Sequence, residues 1–333
     1  MKNWIDFDTA TVFAIPLVDP VGGTRVCEGV LIEGPQGWGE FSPPAGCGEL
    51  TLTRWLTAAL EAGTVGWPDP LRGRVPIAVT VPAVDPDRAG RIVASSGCGT
   101  AVVRVATHPG SLPGDVARVE AVRAALGPGG EVRCDAAGNW SPDEAPAAIT
   151  ALDRAAGGLE FVVQPCADLQ DLRSVRRRID VPLAVLQTIS DHPDPLRLDL
   201  SAVADIAVLS VGPLGGVRRA LRLAEACGLP CVVASGLQSS VGIAGGLALA
   251  GALPEVTHAA ELGVVSLLAG DTVSEGRSLR PVDGRLPVAP MPAAPDRQQL
   301  SRFAAADDVV TRWRARLATA RRSLDGPDSG PGR

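Results

Sequence analysis

Short apolar runs rich in β-branched residues recur at regular intervals through most of this chain, at 76–81, 101–106, 131–136, 159–164, 182–187, 206–211, 231–235 and 257–262. Between them lie stretches with apolar residues at helical spacing, at 113–126, 143–156, 168–178, 216–228 and 239–253. Strand and helix in strict alternation predict βα units around a parallel sheet. Eight such runs are enough to close a (β/α) barrel of TIM type, so the fold class is α/β. In that architecture the site forms where strands end and the following loops begin.

Ahead of the barrel, residues 12–17 and 25–32 alternate as antiparallel strands with Gly34, Gly37 and Gly39 at the turns, and 51–62 has the pattern of a helix. Behind it, 297–322 is amphipathic. The expected organisation is a capping domain over 1–75, a barrel over 76–284, a segment 285–322 returning to the cap, and a disordered tail over 323–333, rich in Gly, Pro and Ser.

Composition narrows the function classes. A net charge of -6 argues against a nucleic-acid surface, which needs clustered positive charge. No apolar run reaches the roughly 18 residues of a membrane span, and Asp6 and Asp8 stand where a signal peptide would be cationic and then apolar. A cytoplasmic location follows as the expectation. The seven cysteines are odd in number and contain no C-x-x-C, so neither a disulfide framework nor a zinc site is indicated. Lys2 is the sole lysine, and the other basic residues are all arginine.

Several segments carry a resemblance: GVLIEGPQGWGEFSP (29–43), VTVPAVDP (79–86), GCGTAVVRVA (97–106), CDAAGNWS (134–141), FVVQPC (161–166), VLSVGPLGG (208–216), VVASGLQSSVGIAGGLALA (232–250) and RPVDG (280–284). Collinear over nearly the whole chain, they resemble o-succinylbenzoate synthase of the enolase superfamily, actinobacterial branch. The resemblance implies a modified (β/α) barrel with a capping domain. It also implies dehydration of a cyclohexadiene carboxylate in menaquinone synthesis, in which a metal stabilises an enolate and two lysines move the proton; some relatives racemise N-acylamino acids.

Residue by residue, that machinery is replaced. The family's K-x-K falls on Val102 and Arg104, and the opposing lysine falls on Ser210. Arginine stays protonated at neutral pH and is a poor base. Of the three metal-binding carboxylates only the first is kept, as Asp135; the second matches Val163 and the third Leu186, with Gln187 where the family has glutamate. Hard divalent cations need several oxygen ligands, so the expectation is that magnesium is lost and no other cofactor replaces it. Further departures are Ala137, Gln238 and Glu261, where the family has asparagine, an acid and glycine. The two loops that close over substrate in the family read 18–22 and 44–47 here and differ as well.

Strand alternation points Val102, Arg104, Arg133, Asp135, Phe161, Val163, Ala184, Leu186, Val208 and Ser210 inward. The candidate catalytic residues are therefore Asp135, Arg104 and Ser210. Val102, Arg133, Val163, Leu186, Gln187, Thr188, Gln238 and Glu261 are expected to line the substrate pocket. Beside two aliphatic side chains Asp135 is a candidate acid or base. Equally, it is a candidate for a structural salt bridge with Arg104 or Arg133. His108 and His192 follow barrel strands and Cys47 lies in a cap loop, but none has an assignable partner. Gly215 and Gly216 precede a helix that could hold a phosphate, although a loop turn explains them as well.

Three readings stand. The first is a repurposed, metal-independent lyase, cyclase or isomerase acting on a small carboxylate or carbonyl compound in specialised metabolism. The second is a non-catalytic binder of a ligand or partner, and the third a genuine o-succinylbenzoate synthase. The expected partner is a small-molecule substrate, with a homo-oligomer left open.

Overall fold

The computed structural model describes residues 5–325. Strands β1 (Thr11–Val21), β2 (Thr24–Gly34) and β3 (Gly37–Phe41) form an antiparallel sheet, and helix α1 (Glu49–Thr64) follows. Gly34 and Gly39 are dictated by packing rather than by turns alone. A Cβ at either would lie 2.2 Å or less from the backbone oxygens of Gly63 and Ala59, so only glycine lets β2 and β3 lie flat on α1.

The chain then runs β4 (Arg74–Pro76), β5 (Ala78–Val81), α2 (Pro86–Ser96), β6 (Thr100–Arg104), α3 (Leu112–Leu126), β7 (Glu131–Asp135), α4 (Ala145–Ala156), β8 (Phe161–Val163), α5 (Leu169–Arg176) and β9 (Leu183–Val185). It continues through α6 (Gln187–Ser190), β10 (Ile206–Ser210), α7 (Val211–Leu214), α8 (Val217–Cys227), β11 (Cys231–Ala234) and α9 (Ser240–Ala252). Helix signals are local and readable: Asp85 caps α2 ahead of Pro86, and α2, α4 and α8 each end on a left-handed glycine, at 97, 157 and 228.

Strands β5 to β11 form one parallel sheet of seven strands in sequence order. The eighth run, 257–262, is not a strand. Only Ala260 and Glu261 stay extended, bridging to Ile77 and Ala234 at the sheet's two edges, because a 3-10 turn (Gly263–Leu267) begins immediately after. The seven-stranded sheet is thus curled, with a two-residue stave in its gap.

Alternation along the strands divides the side chains between two cores. Val103, Val105, Val132, Cys134, Val162, Val185, Ala207, Leu209 and Val233 belong to the large core beneath the helices. Phe161, Val163, Ala184, Ile206, Val208, Val232 and Ala234, with Leu186 packed against them, form a separate cluster inside the curl. Of the residues expected to point inward, Phe161, Val163, Ala184, Leu186 and Val208 are in this cluster.

After the barrel, β12 (Arg285–Pro287) pairs with β4, so these residues join the barrel side rather than the cap. The amphipathic stretch at 297–322 is two helices, α10 (Arg297–Arg302) and α11 (Asp307–Asp325), not one. The break exists because Phe303 buries against Phe13 and Ile15 while Ala304 bridges to Phe13. Helix α11 packs Trp313, Leu317 and Ala320 onto α1 in the cap's own core. Residues 323–325, expected in the tail, close this helix; the rest of the expected tail, 326–333, lies outside the described residues. Among the described residues no helix is long and apolar enough to cross a membrane.

Candidate active site at the barrel mouth

The last residues of β6, β7 and β8 lie side by side. Arg104 pairs in register with Asp135, and Asp135 with Val163. Neighbouring register positions bring the two opposite charges together, and Arg104 Nη1 donates to Asp135 Oδ2 at 2.6 Å. Asp135 Oδ1 accepts from the backbone N–H of Ala137 at 2.9 Å, where the chain takes a left-handed turn (φ 48°). The side chains of Arg104 and Asp135 keep 28% and 19% of their surface exposed. Of the two arginines expected as its salt-bridge partner, Arg104 is the one that pairs with Asp135; Arg133 is engaged elsewhere. Val163, in register with Asp135, is fully buried in the interior cluster, and Leu186 packs against that cluster.

Arg133, two residues below Asp135, is wholly buried. Its Nε donates to Glu160 at 2.6 Å, its Nη1 donates to the carbonyl of Ala259 (2.8 Å) and to Glu261 (3.2 Å), and its guanidinium lies 4.4 Å from the Phe161 ring centre. Among the described residues Nη2 has no partner. His258 completes the network through Nδ1, 2.6 Å from the other oxygen of Glu160. Burial pushes the Glu261 carboxyl up to about 7, with Arg133 opposing. Glu160, with Arg133 and His258 both at hand, is instead held below the usual carboxylate range despite its desolvation.

The remaining residues expected to line the pocket divide. Ser210 ends β10 with 7% exposure, and Val102 faces Arg133 in register. Gln187 opens α6 with Oε1 buried and unpartnered, and Ser235 Oγ, just past β11, is likewise unpartnered. Thr188 is occupied: its Oγ1 accepts from Gln164 Nε2 at 2.8 Å, and Gln164 Oε1 in turn accepts from the N–H groups of Leu186 and Thr188. Gln164, fully buried and left-handed (φ 43°), is thus the clamp that sets the loop after β9. The Gln-Pro pair at 164–165 was its only signal in the sequence. Gln238 lies in the seam between cap and barrel, lining a small cavity with Glu40 and Trp55.

The weaker candidates resolve locally. His108 is exposed, with Nδ1 near its neighbour's carbonyl; His192 Nδ1 accepts from Asp194 N–H, and Arg54 of α1 grips the carbonyls of 190, 192 and 193. Cys47 contacts Arg316, which also holds the carbonyls of Pro43 and Pro44. Residues 18–21 are part of β1, and Asp19 pairs with Arg88 of α2 at 2.9 Å. The helix start after Gly216 is filled by the protein itself, since Glu61 of α1 accepts from the N–H groups of Val217 and Arg218.

Comparison with known proteins agrees with this architecture. Residues 86–295 match the family described as enolase C-terminal domain-like, and residues 12–63 the one described as enolase N-terminal domain-like. The o-succinylbenzoate synthase of Thermobifida fusca is 49% identical over 97% of this chain and 99% of its own. That of Mycolicibacterium smegmatis is 46% identical over 91% and 92%. Among solved structures, the L-Ala-D/L-Glu epimerase of Bacillus subtilis superposes with a TM-score of 0.73 at 21% identity, covering 87% of this chain and 96% of that one. Muconate lactonizing enzyme from Pseudomonas fluorescens gives 0.73 at 18% identity, over 89% and 98%. Full-length similarity of this kind, on a curled parallel sheet under an antiparallel cap, means that the chain belongs to the enolase superfamily, alongside relatives named o-succinylbenzoate synthase.

Proposed function

We propose that this chain is an o-succinylbenzoate synthase-like protein whose barrel mouth binds a small carboxylate of the kind that those relatives act on. The identity of 49% over 97% of the chain carries this reading, and it supports a working o-succinylbenzoate synthase more directly than any other activity. The narrower proposal, supported by the side chains at the mouth, is that chemistry here does not run through magnesium and lysine.

The donor set was the test of fit. A magnesium ion asks for near-octahedral oxygen coordination. Beside Asp135 stand two aliphatic side chains and a guanidinium on its Oδ2, and Gln187 offers only a neutral oxygen. Among the described residues no group of three or more His, Cys, Asp or Glu side chains is arranged to hold a metal ion. These residues do not fit the ion.

What the mouth can do follows from its own groups. Arg104 presents a fixed cation to a carboxylate or a polarised carbonyl. Asp135, at its side, is the group able to take or return a proton, and Ser210 and Gln187 can hold a second polar end. The apolar wall of Val163, Val208 and Leu186 suits a hydrocarbon ring.

The test is to give the purified chain the cyclohexadiene carboxylate substrate with magnesium and with chelator. Turnover that needs magnesium establishes the synthase and refutes the narrower proposal. Turnover that survives chelator and disappears in Asp135→Asn supports it. Saturable binding by calorimetry without turnover, weakened at least tenfold in Arg104→Met, points to the non-catalytic binder. Absence of both binding and turnover refutes the assignment.

A further inference from the structure

Cys227 is the last residue of α8 and Cys231 the first of β11, and their sulfurs lie 3.9 Å apart. Both are only partly buried. They flank the loop Gly228–Leu229–Pro230, and the Leu229 carbonyl is within reach of both thiols, 3.4 Å from Cys231 and 4.0 Å from Cys227. Cys231, Gly228, Leu229 and Pro230 line an open cavity of about 490 Å³, so a small reagent reaches Cys231 from solvent, with the half-buried Cys227 sulfur directly beside it. We propose that Cys227 and Cys231 are a redox-active dithiol, oxidised by hydroperoxides to a reversible disulfide.

Distance and partners favour a disulfide over a metal chelate. Bonded sulfurs sit about 2 Å apart, so the two must approach by roughly 2 Å more. The loop between them has room, since Gly228 adopts a left-handed turn (φ 65°) with nothing within 4 Å of where a side chain would start. A tight soft-metal site would need further ligands, and among the described residues no third Cys, His or acid converges there.

The chemistry balances with the peroxide as oxidant. The Cys227 thiolate attacks one peroxide oxygen, the O–O bond breaks, and with one proton the leaving oxygen departs as water. The resulting Cys227 sulfenic acid is attacked by Cys231; the S–S bond forms, and the hydroxyl leaves as a second water with the Cys231 proton. Two thiols and one peroxide thus give one disulfide and two waters. The Cys231 thiol hydrogen-bonded to Cys227 holds the Cys227 thiol below its ordinary range, which favours Cys227 as the attacking sulfur, and Cys231 is correspondingly raised. Cys27, Cys98, Cys134 and Cys166 are buried, and burial pushes each of them up, away from reactivity.

The experiment counts thiols in the intact chain, denatured after exposure to dilute hydrogen peroxide and quenching. Seven cysteines are free, and five are expected to titrate after oxidation, with seven restored by dithiothreitol. Peptide mapping is expected to join 227 to 231; the Cys227→Ser variant is expected to keep all six remaining thiols, and the Cys231→Ser variant to form no intramolecular disulfide, its loss confined to a sulfenic acid on Cys227 that dithiothreitol reverses. Seven thiols after peroxide, a disulfide or sulfinic acid involving Cys47, or a thiol loss that persists in both variants would overturn the proposal. If a variant fails to fold, differential alkylation of the unmodified chain before and after peroxide decides the same question. The pair lies at the end of β11 opposite Ser235, so the result is independent of the function proposed for the mouth.

Discussion

Two buried glutamates, Glu40 in the seam between cap and barrel and Glu261 inside the curled sheet, are both pushed up to about 7 by burial, yet they are supplied very differently. Glu40 accepts from Ser42 Oγ, Ser239 Oγ and the N–H groups of Ser239 and Gly242, tying β3 to the first turn of α9. Among the described residues the Glu261 carboxyl has one side-chain hydrogen bond, from Arg133 at 3.2 Å, while Arg133 Nη2, Gln187 Oε1 and Ser235 Oγ have no partner there. A seam whose polar groups are satisfied serves to hold two parts together. Interior donors and acceptors that find no partner among the described side chains are left to water or a small molecule, because leaving buried polar groups unpaired costs stability.

The largest expected effect breaks the interior. Arg133→Leu strands Glu160, Glu261 and the Ala259 carbonyl together, and losing one partner of a buried ionic network typically costs roughly 3–5 kcal/mol. A urea midpoint shift of under about 1 kcal/mol would show instead that water already carries these groups. Next comes the seam: Glu40→Ala leaves four donors without an acceptor and is expected to cost about 2–4 kcal/mol. If Glu40→Ala proved milder than Arg88→Ala at the periphery, the seam would not be the structural half of the comparison.

Both glutamates also set a pH dependence. Between pH 4.5, the ordinary value, and about 7, the folded chain retains protons that the unfolded chain has released, so stability is full at low pH and falls as pH rises through 7. Glu261→Gln keeps the shape without the titration. It is expected to flatten part of that fall and to gain on the order of 1–3 kcal/mol at pH 8 relative to the parent, read as a thermal shift. A variant that is less stable than the parent at pH 8 would mean that the pair of ionised Glu261 with Arg133 outweighs the desolvation of the carboxylate.

The interior half of this contrast was partly legible in the chain; the seam half, Glu40 with Ser42 and Ser239, was not. Alternation alone assigned Val163 and Leu186 to the interior, and register follows from it, so the Arg104–Asp135 pair was among the alternatives. Glu160 was out of reach, because it precedes β8 and meets Arg133 and His258 only once the sheet has curled. The placement of Gln238 depends on the cap's arrival beside α9. The break at Phe303 depends on a pocket formed by Phe13 and Ile15, far away in sequence. Cys227 and Cys231, four apart, were hidden by expecting the C-x-x-C spacing when a helix end and a turn bring a longer spacing together.

The smallest effect sharpens where the seam ends. Asp19, in β1, takes Arg88 of α2 in a two-pronged contact, Nη2 at 2.9 Å and Nε at 3.1 Å, with side chains 19% and 33% exposed. Pairs this open are worth about 0–1 kcal/mol, because water screens them and two side chains must be held still. Asp19→Ala is therefore expected to leave the urea midpoint within that range and the thermal transition single. Yet the residue ties the hairpin that includes Gly22 and Gly23 to the helix that follows β5. If that hairpin covers the mouth, releasing it raises the dissociation rate of a bound carboxylate a few-fold with little change in stability. Equal rates in parent and variant would place the hairpin outside the ligand's path and leave the interior alone to hold it.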